Sequence, residues 1–426
     1  MNVPWKGWIC CLSLCFIVFS TGCASHTDSG NPASPPSQQQ VPNPAENDSE
    51  DAVQTPAEPS EPDISKEIER MSLDEKLGQM VLIGKEGTSI NDTDIEMMDQ
   101  YKVGGFIFYQ DNIETLTQTV SLMDQLKAHH SDNDPPLLLS VDQEGGMVSR
   151  MPSELKALPG NGEVGPLNNP ELSFEMGRML AKQLQLAGMN MNFAPVMDVN
   201  SNLNNPIIGE RSFSSDPMVV SKLGIETMKG MQQEGTISVI KHFPGHGDTS
   251  VDSHLELPRL DKTKEQLEQT ELVPFQEAVK ANADVIMMAH ILVPALDQQR
   301  PSSLSSKIVR GLLRDELEYD HVVMTDDLTM KGITNHYSIE DAAVLAVQAD
   351  VDLLLIAHDA DLAKQVLRRL KSEVEQGTIP MDEINDSVYR ILDLKSKYLL
   401  IDEEDEQLDL QQVNQEINSL LEEYGL

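Results

Sequence analysis

Basic side chains and aromatic rings are scarce in this sequence, and cysteine is confined to one end. The 426 residues contain 31 lysines and arginines against 70 aspartates and glutamates, a formal net charge of −39. Because phosphate groups are bound by basic surfaces, this balance argues against a nucleic-acid partner and against binding to an anionic membrane surface. All four cysteines and both tryptophans lie within the first 23 residues. The rest of the chain can therefore form no disulfide and hold no thiolate-bound metal.

The N-terminal segment predicts export and lipidation. Residues 1–22 carry one charge, Lys6, before the apolar run Ile9–Phe19, which is shorter than a transmembrane helix and typical of a signal peptide. The next four residues, ending at Cys23, resemble a bacterial lipobox, although Ser20 stands where an apolar residue is usual. We therefore expect a lipoprotein signal peptide, lipid on Cys23, and an extracytoplasmic protein held to the membrane by that lipid alone. Ordinary signal cleavage is the alternative.

Composition divides the remainder of the chain into three parts. Residues 23–62 are rich in serine, proline, asparagine, glutamine and acidic residues, so they bury too little apolar surface to fold and predict a disordered tether. Residues 63–400 alternate short apolar runs with amphipathic stretches and predict the folded domain. Residues 401–426 contain nine acidic residues and no basic ones. We expect them to form an acidic tail, either a helical surface cap or a frayed terminus, with no functional role.

The folded part contains eight short apolar runs. Eight buried strands that alternate with helices predict a (β/α)8 TIM barrel that forms a single catalytic domain, with a doubly wound open sheet as the alternative. No Gly-x-Gly-x-x-Gly turn follows the first run, so a dinucleotide site is not supported. The runs are Met80–Ile83, Gly105–Phe108, Leu137–Val141, Met189–Phe193, Ser238–Ile240, Val285–Met288, Val322–Thr325 and Leu353–Ile356.

Ionisable residues are concentrated just after five of these predicted strands. In a TIM barrel the catalytic groups come from that end of the strands. Each residue alone could be a helix cap, a surface charge or a core histidine, but five such strand ends on one face favour an active site. The residues are Asp142, Glu144 and Arg150 after the third strand, Asp198 and Arg211 after the fourth, Lys241, His242, His246, Asp252 and His254 after the fifth, His290 after the sixth, and Asp326 and Asp327 after the seventh.

The segment after the fifth strand is the most informative. The spacing of Asp252 and His254 allows the carboxylate to accept a hydrogen bond from one imidazole nitrogen, which raises the basicity of the other and gives half of an acid/base device. One chemistry that could use it is a metal-dependent amidohydrolase, but that requires a His-x-His pair in the first strand, where none occurs. The other is a glycosidase, with Asp326 as the nucleophile and His254 as the acid/base.

Several motifs together resemble one enzyme family. Lys241–Gly247 followed by Asp252-Ser253-His254 is similar to the signature of glycoside hydrolase family 3 β-N-acetylglucosaminidases. Matching motifs occur in the family's order at Asp142–Gly146, Asn192–Val199, Ile208–Phe213 and Thr325–Met330. The resemblance implies a (β/α)8 barrel that removes terminal β-linked N-acetylglucosamine, including from the GlcNAc–MurNAc unit of peptidoglycan fragments.

The resemblance also implies residue roles. Asp326 would be the nucleophile that forms a glycosyl-enzyme with retention of configuration, and His254 would be the acid/base with Asp252 as its partner. The matching sugar-binding positions are Asp142, Arg150, Arg211, Lys241 and His242.

The implied partner is an amino-sugar oligosaccharide or muropeptide, and no metal or organic cofactor is expected. The chain ends soon after the eighth predicted strand, so we expect the barrel itself to supply the acid/base. The alternatives are a family 3 β-glucosidase or β-xylosidase and a non-catalytic sugar-binding lipoprotein.

Overall fold

The computed structural model describes residues 64–130, 134–250, 252–399 and 408–426. The predicted signal peptide, the predicted tether and the predicted lipidation site Cys23 lie outside the described residues. Among the residues that are described, no helix combines the length and the apolar character needed to cross a bilayer.

Eight parallel strands form the centre of the fold. Their order is β7-β6-β5-β4-β3-β2-β1-β8. A parallel bridge between Met324 and Leu353 joins the two ends, and the Thr325 N–H donates to the Leu353 carbonyl over 2.9 Å. The predicted TIM barrel is therefore confirmed. The strands are β1 Val81–Gly84, β2 Gly105–Phe108, β3 Leu138–Val141, β4 Met191–Asn192, β5 Ile237–Phe243, β6 Val285–Met288, β7 Val322–Thr325 and β8 Leu354–Ile356.

Helices surround the strands and cover their outer faces. Nearly every strand residue is buried, as expected where helices cover one face of a parallel sheet and side chains fill the barrel on the other. The helices are α1 Ile64–Arg70, α2 Leu73–Gln79, α3 Asp92–Asp99, α4 Leu116–His129, α5 Asn161–Val164, α6 Pro170–Leu186, α7 Pro217–Gln233, α8 Lys264–Gln269, α9 Val273–Lys280, α10 Lys331–Thr334, α11 Ile339–Gln348, α12 Ala360–Glu375, α13 Met381–Leu399 and α14 Leu410–Tyr424, with a π-helix at Lys307–Glu316 between β6 and β7.

One amphipathic stretch whose pattern predicts a single helix forms two helices in the structure. The pattern over Lys264–Ala281 predicts one helix, whereas α8 ends at Gln269 and α9 begins at Val273. Pro274 lies in the first turn of α9. A proline lacks the N–H for an intrahelical bond and its ring clashes with the carbonyl four residues earlier, so it begins a helix and does not continue one.

The acidic C-terminal region contains an ordered helix that packs on the barrel. In α14 the side chains of Val413, Ile417 and Leu421 recur every fourth residue and are buried in an apolar cluster shared with α6 and α7. The Asp409 carboxylate caps the start of the helix by accepting from two backbone N–H groups, and Gly425 ends it in the left-handed conformation.

Candidate active site

Two adjacent aspartates at the end of β7 have different surroundings. The Asp327 carboxylate is mostly buried and accepts hydrogen bonds from the backbone N–H groups of Thr329 and Ala357, at 2.9 and 3.0 Å, and so ties the end of β7 to the end of β8. Asp326 is only partly buried, and its Oδ1 accepts the Asp327 N–H over 2.8 Å. Its Oδ2 accepts no hydrogen bond from any described residue. Asp326 therefore has an oxygen available to a ligand, whereas Asp327 is a structural carboxylate.

Imidazole groups keep Asp326 ionised. Burial alone would raise the pKa of its carboxyl group, but His290 and His242, the Asp327 N–H and His254 together lower that pKa below its ordinary value. His290 itself is fully buried, with Nδ1 bonded to the Ser303 hydroxyl over 2.7 Å and Nε2 to the Asp327 carbonyl over 3.0 Å. An ionised carboxylate with a free oxygen is the state that a nucleophile requires.

The loop after β5 carries the predicted acid/base pair to the same place. The Asp252 Oδ1 accepts from the His254 backbone N–H and from its ring Nδ1, each over 2.8 Å. This arrangement leaves Nε2 of a side chain that is 64% exposed free to exchange a proton with a ligand. The Gly332 N–H at α10 donates to the Ser253 carbonyl over 3.0 Å. This contact ties the loop to the segment that follows Asp326, and His254 acts electrostatically on the Asp326 carboxylate.

The first half of the same loop is fixed by a buried carboxylate. Asp198, after β4, accepts from His242 Nδ1 over 2.7 Å and from the His246 backbone N–H over 2.6 Å. The His246 ring in turn contacts the hydroxyls of Thr249 at 2.7 Å and Ser253 at 3.3 Å. The His242 and His246 contacts therefore anchor the start of the loop, whereas Ser250 and His254 are exposed.

A glycine is required where this loop passes β4. A Cβ at Gly247 would lie 1.7 Å from the Val199 carbonyl oxygen, so no other residue fits there. The close approach holds the loop against the chain that carries Asp198.

Four charged groups form a second centre across the barrel mouth. The buried Lys241 ammonium lies between Asp142 and Glu144, 2.7 Å from the Glu144 Oε1. Arg211 binds both oxygens of Glu144, over 2.9 and 2.6 Å. Burial favours protonation of Glu144, but Lys241 and Arg211 outweigh it and lower its pKa to about 2. Glu144 thus orients both cations, and the Asp142 side chain, 24% exposed, is the member of the group that faces solvent.

Two polar groups near this centre have no partner in the protein. The guanidinium of Arg150 forms no ion pair with the residues that the structure describes, and its Nε is buried without an acceptor. The Tyr109 hydroxyl, after β2, likewise has no hydrogen-bond partner in the described ranges, and its ring stacks on His358 at 5.5 Å. Burial together with the nearby Asp327 and Asp142 raises the pKa of Tyr109, so its hydroxyl remains a hydrogen-bond donor.

The structure brings every predicted site residue that it describes to the C-terminal face of the barrel, although not in equal roles. His254, Asp326 and Arg150 present free polar atoms, whereas Lys241 and Arg211 are paired. Sequence reasoning gave no role to Glu144 or Asp198, although both follow strands, because a carboxylate's partners lie far away in the chain. For Tyr109, directly after β2, the sequence indicates only one of the few aromatic rings near the site and no role for its hydroxyl.

No group of three or more histidine, aspartate, glutamate or cysteine side chains within the described ranges is arranged to hold a metal ion.

Comparison with known proteins identifies the family. The glycosyl hydrolase family 3 N-terminal domain matches residues 72–394. The chain belongs to glycosyl hydrolase family 3. It is 38% identical over 326 residues to the beta-hexosaminidase A of Pseudoalteromonas piscicida, which covers 71% of this chain and 54% of that protein. The chain therefore spans about half the length of this curated relative.

Two further relatives agree with the family assignment. The beta-hexosaminidase of Nitrosomonas eutropha is 35% identical over 293 residues, covering 67% of this chain and 83% of its own length. Among solved structures, a family 3 beta-N-acetylglucosaminidase from a Paenibacillus strain superposes with a TM-score of 0.78 at 37% identity, covering 83% of this chain and 68% of that one.

Proposed function

We propose that this family 3 protein is a retaining exo-β-N-acetylglucosaminidase, with Asp326 as nucleophile and His254 as acid/base. The observation that carries the proposal is the free Oδ2 of ionised Asp326 on the side of the Asp252–His254 pair. The names of the relatives support the amino-sugar substrate, since they are hexosaminidases and an N-acetylglucosaminidase.

The proposed reaction has two displacements. In the first, Asp326 Oδ2 bonds to the anomeric carbon, the glycosidic bond breaks, and His254 Nε2 gives its proton to the leaving oxygen. In the second, His254 takes a proton from water, the water oxygen bonds to the anomeric carbon, and the Asp326 ester breaks. Asp252 holds Nδ1 of the imidazole throughout, so that Nε2 is the atom that gains and loses the proton.

We further propose that the terminal sugar lies between the two centres. Asp142 can accept from sugar hydroxyls, while Arg150, Arg211, Lys241 and His242 surround the same space. In their paired state Lys241 and Arg211 mainly fix the carboxylates. The guanidinium of Arg150, which has no ion-pair partner among the described residues, is the cation most available to the sugar.

The test is turnover of two aryl glycosides by the full chain. We expect release of 4-nitrophenol from the β-N-acetylglucosaminide, and much slower release from the β-glucoside. Asp326→Asn should lower kcat by at least a thousandfold while the protein still binds N-acetylglucosamine. The control is Asp320→Asn, an exposed carboxylate at the opposite end of β7. Preference for the glucoside would make the protein a β-glucosidase, and full turnover by Asp326→Asn would contradict the mechanism.

We propose that the natural substrates are peptidoglycan fragments and that the protein is lipid-anchored outside the cytoplasm. The basis is the sequence resemblance and the lipobox-like segment ending at Cys23. Release of N-acetylglucosamine from GlcNAc–MurNAc fragments, compared with chitin oligosaccharides, tests the substrate. A palmitate analogue supplied to a bacterial host should label the wild-type protein, and labelling of Cys23→Ala would contradict the anchor.

A further inference from the structure

We infer that α14 acts as a clasp on the loop between β3 and α5, residues 142–160, and that Asn414 is the positioning residue through which it acts. This loop, the β3 loop, carries Asp142, Glu144 and Arg150. The inference rests on the proposed function for its kinetic consequence, while its structural consequence stands alone.

The clasp is a pair of hydrogen bonds from one side chain. The Asn414 Oδ1 accepts the Lys156 backbone N–H over 2.8 Å, and its Nδ2 donates to the Glu154 carbonyl over 2.8 Å. A side-chain amide that donates to one backbone carbonyl and accepts from the N–H two residues later makes the same pair of hydrogen bonds that a neighbouring β-strand would make. It can therefore fix the backbone of an irregular segment. Within this segment the Leu155 N–H donates to the Pro152 carbonyl over 3.0 Å and the Leu155 side chain is buried, and the two Asn414 bonds add the hydrogen bonds that tie residues 154–156 to α14.

The fixed segment is connected to the sugar-binding residues. The Lys156 carbonyl accepts from Gln183 Nε2 over 2.7 Å, and Gln183 Oε1 accepts from Gln143 Nε2 over 3.0 Å. Gln143 Oε1 then accepts the Arg150 backbone N–H over 2.7 Å. The side-chain amides of Asn414, Gln183 and Gln143 thus form a series of contacts from α14 to the Arg150 backbone. The last of them, Gln143, holds the Arg150 N–H in place.

A second connection reaches the start of the loop. The Gly146 N–H donates to the Leu158 carbonyl over 2.9 Å. Leu158, two residues after Lys156, is therefore held against the start of the β3 loop near Glu144. Leu158 is buried in the same apolar cluster as the buried face of α14. Gly146 lines a cavity of about 320 Å³ together with Arg211 and Asn161. A shift of the β3 loop would therefore change the shape of this cavity at the barrel mouth.

The helix itself is held independently of Asn414. Its three buried apolar side chains anchor it, and the Lys182 ammonium of α6 pairs with Glu416 over 2.6 Å. Removal of the Asn414 amide should therefore release the β3 loop without releasing α14. The helix also lies beyond residues 72–394, the part of the chain that the family domain matches.

The test uses the full chain with Asn414→Ala, Asn414→Asp and a control. Asn414→Ala removes both bonds, whereas Asn414→Asp keeps an acceptor for the Lys156 N–H and loses the donor to Glu154. The control is Gln415→Ala, which removes an amide from the exposed face of the same helix.

For Asn414→Ala we expect KM for the aryl N-acetylglucosaminide to rise about three- to tenfold, the size of one or two lost hydrogen bonds, while kcat changes less than twofold. Asn414→Asp should fall between the wild type and Asn414→Ala, and Gln415→Ala should match the wild type. Amide hydrogen exchange should become faster at residues 150–156 in Asn414→Ala and stay unchanged in α6.

Two sets of results would contradict the role of Asn414. An unchanged KM with unchanged exchange in the β3 loop would show that Asn414 positions nothing. Equal losses from Gln415→Ala, or faster exchange throughout α6 and α14, would show a general loss of stability. If the wild-type protein hydrolyses no N-acetylglucosaminide, the proposed function fails, and the exchange measurement still decides the clasp.

Discussion

The two aspartates that follow β7 differ in the hydrogen bonds that their carboxylate oxygens accept. The Asp327 carboxylate accepts hydrogen bonds from two backbone N–H groups, one in the turn after β7 and one just after β8. It therefore links the ends of these two strands. Asp326 accepts one hydrogen bond from the described residues, the N–H of Asp327, and nearby imidazoles lower the pKa of its carboxyl group. Both residues carry the same chemical group, and the hydrogen bonds that each carboxylate accepts distinguish the structural Asp327 from Asp326, the proposed nucleophile.

The proposed acid/base role of His254 can be tested by varying the leaving group of the substrate. Protonation matters most when the departing oxygen is a poor leaving group, because an activated phenolate departs without help. His254→Ala should therefore lower kcat/KM for a disaccharide by about a hundredfold or more and lower it much less for 4-nitrophenyl β-N-acetylglucosaminide. The matched control is His336→Ala, which removes an exposed imidazole from the segment just after α10. Equal losses on both substrates would show that His254 does not donate the proton.

Tyr109 offers a single-atom test of the proposed sugar site. Its hydroxyl has no hydrogen-bond partner in the described part of the chain, and Asp142 and Asp326 both act on it electrostatically. Tyr109→Phe removes only that oxygen, so we expect KM to rise about two- to tenfold while the unfolding midpoint is unchanged. Tyr101→Phe is the control, because that hydroxyl accepts from Arg368 outside the site. A drop in thermal stability with unchanged KM would instead assign the hydroxyl a structural role.

From the sequence the candidate site residues could be proposed, but not the contacts that each of them makes. Motif order was enough to select Asp326, His254 and Lys241 among many charged residues. It could not show that Glu144 pairs with both Lys241 and Arg211, because those partners lie 97 and 67 residues away and meet only when β3, β4 and β5 are adjacent. Local spacing carries no information about such contacts.

At the scale of elements, buried strands were easier to predict than the ends of helices. All eight apolar runs correspond to strands, with bounds that differ by a few residues, because a strand covered on both faces needs a continuous apolar run. The break between α8 and α9 follows from Pro274, whose effect a periodicity pattern does not register. The helix α14 was predicted only as a cap or frayed end, since its partner α6 lies over 200 residues earlier.

The anchored part of the β5 loop makes stability depend on pH. Burial and the nearby charge of His242 lower the pKa of His246 to about 4, whereas an unfolded histidine titrates near about 6.5. Between these values the unfolded chain binds a proton that the folded chain does not. The contribution to stability is therefore full above about pH 6.5 and falls as the pH drops toward 4, by up to about 3 kcal/mol.

This linkage is measured by urea unfolding of the wild type and His246→Gln at pH 7, 6, 5 and 4. Carboxyl groups titrate in both proteins, so only the difference between the two curves reports His246. We expect the wild type to lose more stability than His246→Gln as the pH falls, and His336→Gln, which changes an exposed histidine, to follow the wild type. Parallel curves for all three proteins would show that His246 does not remain neutral when folded.

At the scale of the whole molecule, negative charge exceeds positive charge in every part of the chain. The first 62 residues contain seven acidic and one basic residue and the last 26 contain nine acidic ones, so most of the net charge of −39 lies in residues 63–400. The buried ion pairs, such as Lys241 with Glu144, are sheltered from salt. Exposed pairs contribute little to stability. The long-range effect of charge on this fold is therefore mainly repulsion among surface carboxylates.

Screening this repulsion should stabilise the protein. The Debye length falls from about 30 Å at 0.01 M salt to about 3 Å at 1 M, and the compact chain gains more from that change than the expanded unfolded chain. We expect the unfolding midpoint at pH 7.5 to rise by several degrees between 0.01 and 0.5 M NaCl, and activity to persist at the higher concentration. The control is the same titration near the isoelectric point of about 4.4, where the net charge vanishes. There the rise should be absent, even though His246 has already lowered the starting stability. A midpoint that falls with salt at pH 7.5 would mean that exposed ion pairs outweigh the repulsion.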